Sequence, residues 1–293
     1  MTHEPVLTAE VLQQLCPERG GVFVDCTVGL GGHARALLAA GATRLVALDR
    51  DKDALAIARD TLAPWSDRVD LVHADYRELA AVLDARGIRL VDGALADLGV
   101  SSMQFDAPGR GFSFQRDEPL DMRMDRSQPQ TAADLVANAD EEELANAIFQ
   151  FGEERFSRRI ARALVAARRE APIDTTGRLA AIVRRSVPRR GYMRIDPATR
   201  TFQALRIWVN RELEGLDRFI DQAVGRVRAG GRLAIITFHS LEDRIVKHTF
   251  RALASASEPI VKVLTRKPIV PGDDEVRRNP RARSAKLRAA EKV

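Results

Sequence analysis

The sequence predicts an α/β protein with a doubly wound, Rossmann-like sheet and an inserted α-helical domain. Three observations lead to this fold class. Short apolar runs alternate with amphipathic segments over residues 1–98, which is the pattern of a mostly parallel sheet covered by helices. Residues 131–187 then show helical patterns only, and the apolar run at residues 233–238 returns to a strand pattern. The helical block is therefore predicted to interrupt the sheet after its fourth strand.

The first part of the sheet follows from apolar patterning and from residues that end helices. Pro17, Gly41 and Pro64 each follow a helical pattern, because proline cannot continue a helix and glycine is favoured where one ends. The predicted strands are 22–25, 44–48, 69–72 and 91–98, and the predicted helices are 5–17, 34–40, 53–62 and 79–86.

The rest of the chain predicts a loop, a helical block and the remainder of the sheet. Residues 99–130 are rich in Gly, Pro, Ser and Asp and are predicted to be loop. The predicted helices are 132–137, 141–149, 156–167, 178–186, 204–227 and 241–254, and the predicted strands are 233–238, 260–264 and 284–293, with a basic loop over 265–284. We therefore predict a sheet domain of residues 1–104 and 204–293 and an inserted domain of residues 105–203.

The composition excludes several classes of protein. Of the 293 residues, 45% are hydrophobic and 30% charged, which is typical of a globular domain. No apolar run approaches the roughly 20 residues that span a bilayer, and the sequence has no pattern of a signal peptide, so we expect a cytoplasmic protein without membrane contact. The two cysteines and five histidines lack metal-ligand spacing, so we expect no metal. A homodimer is left open.

Positive charge is concentrated in one stretch of the chain. Residues 155–211 contain fifteen Arg, no Lys and three acids, so the formal charge of this stretch is +12. The net charge of the whole protein is only +5. Arginine makes bidentate contacts with phosphates and stacks on bases. The stretch therefore indicates RNA binding, with a solvated helical face as the alternative.

A glycine-rich turn follows the first predicted strand. The segment Asp25-Cys-Thr-Val-Gly-Leu-Gly-Gly-His33 leads directly into a helix, so its glycines allow a ligand to approach the backbone and its helix start offers free N–H groups. Asp49 ends the second strand, twenty residues after Gly29, where an acid binds ribose hydroxyls. These features predict a nucleotide-containing cofactor, either a dinucleotide or S-adenosylmethionine.

The ends of the next two strands favour S-adenosylmethionine over NAD. Asp75-Tyr76 follows the third strand and Asp97 ends the fourth. Tyr76 is predicted to stack on adenine and Asp97 to accept a hydrogen bond from an amine, whereas an anionic pyrophosphate has less use for acids there. The alternative for each single acid is a helix N-cap.

Two further segments contain candidate substrate contacts. His239 lies in Thr237-Phe-His-Ser-Leu-Glu-Asp-Arg244 after the fifth strand, where it is predicted to orient a base or cofactor; the alternative is a helix start with Ser240 as N-cap. Basic segments with interleaved aromatic residues suit unpaired RNA bases, although Phe202 and Trp208 also fit a core. The predicted RNA-binding residues are Arg189, Arg190, Arg194, Arg200, Arg206, Arg281 and Arg283.

Seven blocks of the sequence, in order from the glycine turn to the C-terminus, resemble the RsmH (MraW) family of bacterial ribosomal RNA methyltransferases. They are Asp25-Cys-Thr-Val-Gly-Leu-Gly-Gly-His33, Asp97-Leu-Gly-Val-Ser-Ser102, Arg110-Gly-Phe-Ser-Phe114, Pro119-Leu-Asp-Met-Arg-Met-Asp125, Ala198-Thr-Arg-Thr-Phe-Gln-Ala-Leu-Arg-Ile-Trp-Val-Asn-Arg-Glu-Leu213, Phe238-His-Ser-Leu-Glu-Asp-Arg244 and Asn279-Pro-Arg-Ala-Arg-Ser-Ala-Lys-Leu-Arg288.

The resemblance implies a methyltransferase domain interrupted by a helical domain that helps to recognise RNA. It implies methylation of N4 of one cytidine in the decoding centre of 16S ribosomal RNA, with the small ribosomal subunit as partner. The implied cofactor contacts are Gly31, Gly32, His33, Asp49, Tyr76, Asp97 and Gln104. The family usually has Pro where this chain has Met103, so the loop that carries Gln104 is expected to be less rigid here.

The segment after the fourth strand differs from that of many amino-group methyltransferases. It reads Asp97-Leu-Gly-Val-Ser101 and lacks the Pro-Pro-aromatic sequence that accepts amine protons in those enzymes. We therefore predict catalysis mainly by alignment of amine and methyl, with Asp97, Ser101 and His239 as candidate catalytic residues. The remaining alternatives are a dinucleotide-dependent oxidoreductase, a methyltransferase of proteins or small molecules, and a non-catalytic RNA-binding protein of ribosome assembly.

Overall fold

A seven-stranded sheet forms the centre of the protein in the computed structural model, which describes residues 5–188 and 195–293. Its strand order is β3-β2-β1-β4-β5-β7-β6. The strands are β1 (Val22–Asp25), β2 (Arg44–Asp49), β3 (Val69–His73), β4 (Val91–Asp97), β5 (Val227–Thr237), β6 (Val261–Val263) and β7 (Lys286–Lys292). Neighbours among the first five strands are parallel, and β7 is antiparallel to both β5 and β6. The predicted fold class is confirmed.

Helices connect the parallel strands and form the segment between β4 and β5. The α-helices are α1 (Thr8–Leu15), α2 (Gly32–Ala39), α3 (Lys52–Thr61), α4 (Leu79–Asp84), α5 (Ser102–Asp106), α6 (Ala132–Asn138), α7 (Glu141–Gly152), α8 (Ser157–Glu170), α9 (Thr176–Ser186), α10 (Ala198–Asn210), α11 (Leu216–Arg226), α12 (Ser240–Ala254) and α13 (Asp273–Arg278).

The long helix predicted over residues 204–227 is wrong, because the structure contains two helices there. α10 begins six residues earlier and ends at Asn210, and α11 begins at Leu216. Arg211 at the end of α10 and Gly215 before α11 both adopt left-handed backbone conformations, with φ of 49° and 70°. A left-handed residue cannot continue a right-handed helix. The helix therefore breaks between α10 and α11, although the amphipathic pattern of the sequence continues across this point.

Three other segments differ from the prediction. The loop predicted over residues 99–130 contains α5, and the loop predicted over 265–284 contains α13 and a 3₁₀ helix, Pro280–Ser284. β5 begins at Val227 and includes the Gly230-Gly231 pair that was expected to precede it. The pairing of β4 with β5 is irregular between Val91 and Gly93, where β5 contains extra residues relative to β4.

The described residues form two compact units. The first extends to Gly99 and resumes with Leu213–Val293, and the second is Val100–Glu212. In the first unit, apolar side chains cover both faces of the sheet: Val24 and Val46 belong to one cluster, Phe23 and Leu45 to another.

The second unit has its own apolar core, which is built from α6 to α10 and the loop before them. Phe202 is 5% exposed there and packs edge-on against Phe114, with ring centroids 4.8 Å apart. Trp208 packs against the same cluster. Phe202 is therefore a core residue, and Trp208 is partly buried against that core. Throughout the described ranges, no helix has the length and apolar character needed to cross a membrane.

Candidate cofactor-binding and active site

The glycine turn joins β1 to α2 at the carboxyl edge of the sheet. Gly29 and Gly31 have φ of 49° and 85°, a conformation that a side chain disfavours. The Gly29 N–H donates to Asp49 Oδ2 at 2.8 Å, so the end of β2 holds the turn. Gly31 is the N-cap of α2 and offers no side-chain acceptor, which leaves the partial positive charge of this helix end for a ligand. Gly31, Gly32 and His33 thus lie where the sequence placed them.

The register of the sheet places three carboxyl groups on one face. Asp25 pairs with Ala47 in β2 and with Leu95 in β4. Residues in register on parallel strands point the same way, and so do residues two apart on one strand. Asp49 and Asp97 follow Ala47 and Leu95 by two, and therefore share the face of Asp25.

Each carboxylate oxygen of Asp49 accepts a hydrogen bond from the protein backbone. Its Oδ2 accepts from Gly29 N–H, and its Oδ1 accepts from Asp51 N–H at 2.8 Å. Burial raises the pKa of Asp49 to about 6, against the lowering effect of these two hydrogen bonds. A carboxylate oxygen has more than one lone pair, so Asp49 keeps acceptor capacity while it fixes the glycine turn.

Asp97 lies at the end of β4 beside His33. Its backbone N–H donates to Thr27 Oγ1 at 2.6 Å, and its Oδ2 is 3.7 Å from His33 Nδ1. His33 Nε2 lies 2.8 Å from the Val6 carbonyl, which selects the tautomer with the proton on Nε2. Burial raises the pKa of Asp97 well above its ordinary value, and the charges of Asp25 and Glu242 raise it further.

Asp25 is a member of this cluster that the sequence interpretation did not assign. It is 1% exposed; its Oδ1 accepts from Thr27 N–H at 3.2 Å, and its Oδ2 is buried without a hydrogen-bond partner in the described part of the chain. Burial raises the pKa of Asp25 to about 7. The signal was present in the sequence, because Asp25 ends a strand immediately before the glycine turn, as Asp49 and Asp97 end theirs.

Asp75 and Tyr76 make more contacts within the protein than the sequence predicted. Asp75 is the N-cap of the 3₁₀ helix Tyr76–Glu78, so the N-cap alternative describes it. Its carboxylate also contacts Arg50 and Arg77. Burial acts to raise the pKa of Asp75, but hydrogen bonds from Arg77 and the charge of Arg50 outweigh it and lower the pKa.

The Tyr76 ring lies largely within the apolar core. It is 8% exposed and meets Phe219 edge-on, with centroids 4.7 Å apart. The Arg77 guanidinium lies 5.7 Å from the ring centroid. This packing fixes the ring at the end of β3 and limits the area that it presents to a ligand.

His239 is the N-cap of α12, and the expectation that Ser240 has this role is wrong. The His239 Nδ1 atom accepts from Glu242 N–H at 3.4 Å, and its Nε2 is 3.1 Å from Glu242 Oε1. Glu242 Oε2 in turn accepts from the N–H groups of Phe238 and His239. An imidazole has two ring nitrogens, and here both face Glu242. The contacts of the His239 ring given above are therefore with the first turn of α12.

Ser101 and Gln104 belong to the second unit and bind each other. They form a capping box at the start of α5, in which Ser101 N–H donates to Gln104 Oε1 at 3.0 Å and Gln104 N–H donates to Ser101 Oγ at 3.3 Å. Gln104 is 5% exposed. The local structure therefore gives both side chains a structural role at a helix N-terminus.

The predicted RNA-binding arginines differ in exposure. Arg200, Arg281 and Arg283 are exposed. Arg206 is 14% exposed and makes two 2.8 Å hydrogen bonds with the carboxylate of Glu212. Its planar guanidinium is thus already matched by a carboxylate. The remaining predicted positions, Arg189, Arg190 and Arg194, lie outside the residues that the structure describes.

Known proteins similar to this chain are methyltransferases. The family model described as the MraW methylase family matches residues 1–293. The chain is 49% identical over 307 residues to a protein of Geotalea uraniireducens named ribosomal RNA small subunit methyltransferase H, covering 99% of this chain and 98% of that one. A protein of Geobacter sulfurreducens with the same name is 50% identical over 308 residues, covering 100% and 99%.

A solved structure shows a much weaker likeness. The rRNA methylase from Streptococcus thermophilus matches 100% of this chain and 99% of its own, at 13% identity and a TM-score of 0.43.

Proposed function

Because the chain belongs to the MraW methylase family, we propose that it methylates N4 of one cytidine in the decoding centre of 16S ribosomal RNA. Membership makes the chain a methyltransferase that uses S-adenosylmethionine, which confirms the predicted enzyme class and cofactor and removes the oxidoreductase alternative. The observation that supports the RNA substrate is the name shared by relatives about half identical to this chain over almost its whole length.

The carboxyl edge of the first unit fits this cofactor. S-adenosylmethionine carries a sulfonium, an ammonium, a carboxylate and a ribose, so its site needs acids for the cations and N–H groups for the anion. Asp25 and Asp97 each keep a buried carboxyl oxygen without a hydrogen-bond partner among the described residues. A buried unpaired oxygen is costly, and a cationic ligand group would satisfy it.

We assign the cofactor contacts to the backbone of the glycine turn and to four side chains. The backbone at Gly31, Gly32 and His33 would receive the anionic end at the start of α2, and the carboxylate of Asp49 would accept from the ribose hydroxyls. Tyr76 would border the adenine, Asp97 would face the cationic part, and Gln104 completes the proposed set.

The cofactor supplies an electrophilic methyl group, and the protein must hold the cytidine amine in line with it. That amine is conjugated with the ring and is a weak nucleophile, so alignment is the main contribution expected from the protein. The ammonium product of methyl transfer is strongly acidic, so a dedicated strong base is not required. We propose Asp97 as the group nearest the reacting atoms, and place Ser101 and His239 as positioning residues, since each is held in a helix cap.

Binding of RNA is assigned to the arginine-rich surfaces. A cytidine in folded RNA must be unstacked before a methyltransferase can reach it, and phosphate contacts hold the strand meanwhile. The exposed Arg200, Arg281 and Arg283 are the described candidates. Substituting Arg281 and Arg283 by Ala should lower the salt dependence of RNA binding by a log–log slope of roughly 1.5.

The decisive experiment uses small ribosomal subunits that lack the modification. Incubation with methyl-labelled cofactor, followed by digestion and mapping, should place the label on N4 of one cytidine of 16S ribosomal RNA. Naked 16S RNA and a total protein fraction serve as parallel acceptors. Label on another nucleotide or on protein would refute the assigned substrate, and RNA binding without any label would favour the non-catalytic alternative.

A further inference from the structure

Two neighbouring acids in the first unit have buried oxygens that nothing in the described protein neutralises. Asp25 Oδ2 and Asp97 Oδ1 are both buried without a hydrogen-bond partner in residues 5–188 and 195–293. Thr27 connects the two residues, because its N–H donates to Asp25 Oδ1 and its Oγ1 accepts from the N–H of Asp97. The two side chains share one face of adjacent parallel strands, with Asp97 two residues beyond Leu95, which is the partner of Asp25 in the register.

The groups around this pair are mostly acidic. Asp49 at the end of β2 and Glu242 in the first turn of α12 add negative charge, and the Cys26 thiol lies beside Asp25. On α2, His33 points Nδ1 toward Asp97 while its Nε2 faces the Val6 carbonyl.

Arginine and lysine do not compensate the pair, and neither does His239. Within the described ranges, neither Asp25 nor Asp97 forms an ion pair with Arg or Lys. Arg50, which follows β2, contacts Asp75. The His239 ring faces Glu242.

We propose that the Asp25–Asp97 pair carries a proton in the free protein and releases it to solvent when a cationic group of the cofactor binds beside it. This inference rests on the proposed cofactor site. Two carboxylates with buried oxygens repel each other when both are charged and no counter-charge is present, which favours protonation of one of them. A cation supplies that charge, so binding and deprotonation become linked.

The electrostatics of the site agree with this arrangement. Burial raises the pKa of Asp25 to about 7 and that of Asp97 well above its ordinary value. A group with a pKa near 7 is half protonated at pH 7, so its ionisation releases about half a proton per site at that pH. Affinity for the cofactor should therefore increase about tenfold between pH 6 and pH 8.

The test measures proton release directly. Calorimetric titration of the full chain with S-adenosylmethionine at pH 7, in buffers of different ionisation enthalpy, gives the number of protons released. We expect about half a proton or more. S-adenosylhomocysteine keeps the ammonium but lacks the sulfonium, and 5′-methylthioadenosine lacks both. Release with the first two ligands assigns the effect to the ammonium, and release with S-adenosylmethionine alone assigns it to the sulfonium.

Matched variants separate this pair from other acids. Asp25→Asn should reduce the proton release at least twofold and flatten the pH dependence of cofactor affinity. Asp70→Asn removes an exposed acid of β3 that pairs with Arg44 and should leave both unchanged. If Asp25→Asn does not fold, comparing the pH dependence of S-adenosylmethionine and 5′-methylthioadenosine binding in the unmodified protein gives the same answer.

The outcomes distinguish this inference from the proposed function. Binding of S-adenosylmethionine without proton release, or equal release with 5′-methylthioadenosine, would overturn the protonated Asp25–Asp97 pair while leaving the methyltransferase intact. Methylation of a different nucleotide would change the proposed function and leave the calorimetric result standing.

Discussion

Asp25 in the first unit and Asp121 in the second are both buried, with 1% and 9% of their surface exposed. The environments of their carboxyl groups are opposite. Asp121 binds Arg123 through both oxygens, at 2.7 and 2.9 Å. Asp25 has one hydrogen bond, to Thr27 N–H, and one oxygen without a partner in the described chain.

The pKa shifts of the two acids follow these environments. Burial alone would raise both. At Asp121, hydrogen bonds from Arg123 and its charge outweigh burial and lower the pKa. At Asp25, burial prevails and raises the pKa to about 7. In the second unit, Asp121 thus stabilises a loop through Arg123, whereas Asp25 in the first unit keeps a buried oxygen without a counter-charge among the described residues.

The strongest test of this contrast is Asp97→Ala. Methyl transfer should fall by roughly 10²–10³, because the variant lacks the group that we propose to lie beside the reacting atoms. The free energy of unfolding should change by less than about 1 kcal/mol, since the lost carboxyl has an unpartnered oxygen. Labelled-methyl transfer and urea unfolding measure these two quantities, and calorimetry measures cofactor binding. Retention of both cofactor binding and turnover would contradict the assignment.

The opposite result is expected for Asp121→Ala in the second unit. Its removal leaves the Arg123 guanidinium without its carboxylate, which should lower the free energy of unfolding by about 2–3 kcal/mol. Affinity of the folded variant for the cofactor should change less than threefold. Urea unfolding monitored by circular dichroism provides the first measurement and calorimetry the second. A variant as stable as the parent would show that the pair does not stabilise the loop.

The pH dependence of stability gives a third comparison. The folded-state pKa of Asp25, about 7, lies above its ordinary value of 3.8, so its stabilising effect is complete below about pH 4 and is lost as the pH rises through 7. Relative to Asp25→Asn, the cofactor-free protein should lose about 2 kcal/mol between pH 5 and pH 8. Parallel stability curves for the two proteins over that range would refute the raised pKa.

The smallest effect is expected at an exposed ion pair of the sheet. Arg44 Nη2 lies 2.6 Å from Asp70 Oδ2, with 45% and 37% of the side chains exposed. Solvent screens such a pair, so Arg44→Ala should change the free energy of unfolding by less than about 0.5 kcal/mol and leave methyl transfer unaltered. If Arg44→Ala lowered the free energy of unfolding as much as Asp121→Ala, burial would not determine how much an ion pair stabilises this protein.

The sequence determined the parts of this protein that depend on local pattern. The periodicity of apolar residues and the composition predicted the sheet and the helical insertion. β1 has the predicted bounds, Val22–Asp25. The same patterns placed the glycine turn and the acids Asp49 and Asp97 at strand ends, because parallel strands bring their carboxyl ends to one edge.

Only the tertiary structure decided how these residues are used. The left-handed Arg211 and Gly215 divide one amphipathic pattern into α10 and α11, a break that periodicity does not contain. Strand register and burial distinguish the arginine-bound Asp75 from the unpartnered oxygen of Asp25. Both are acids at strand ends in the sequence. Their difference arises from which groups other parts of the chain bring to them, and that is a property of packing rather than of local sequence.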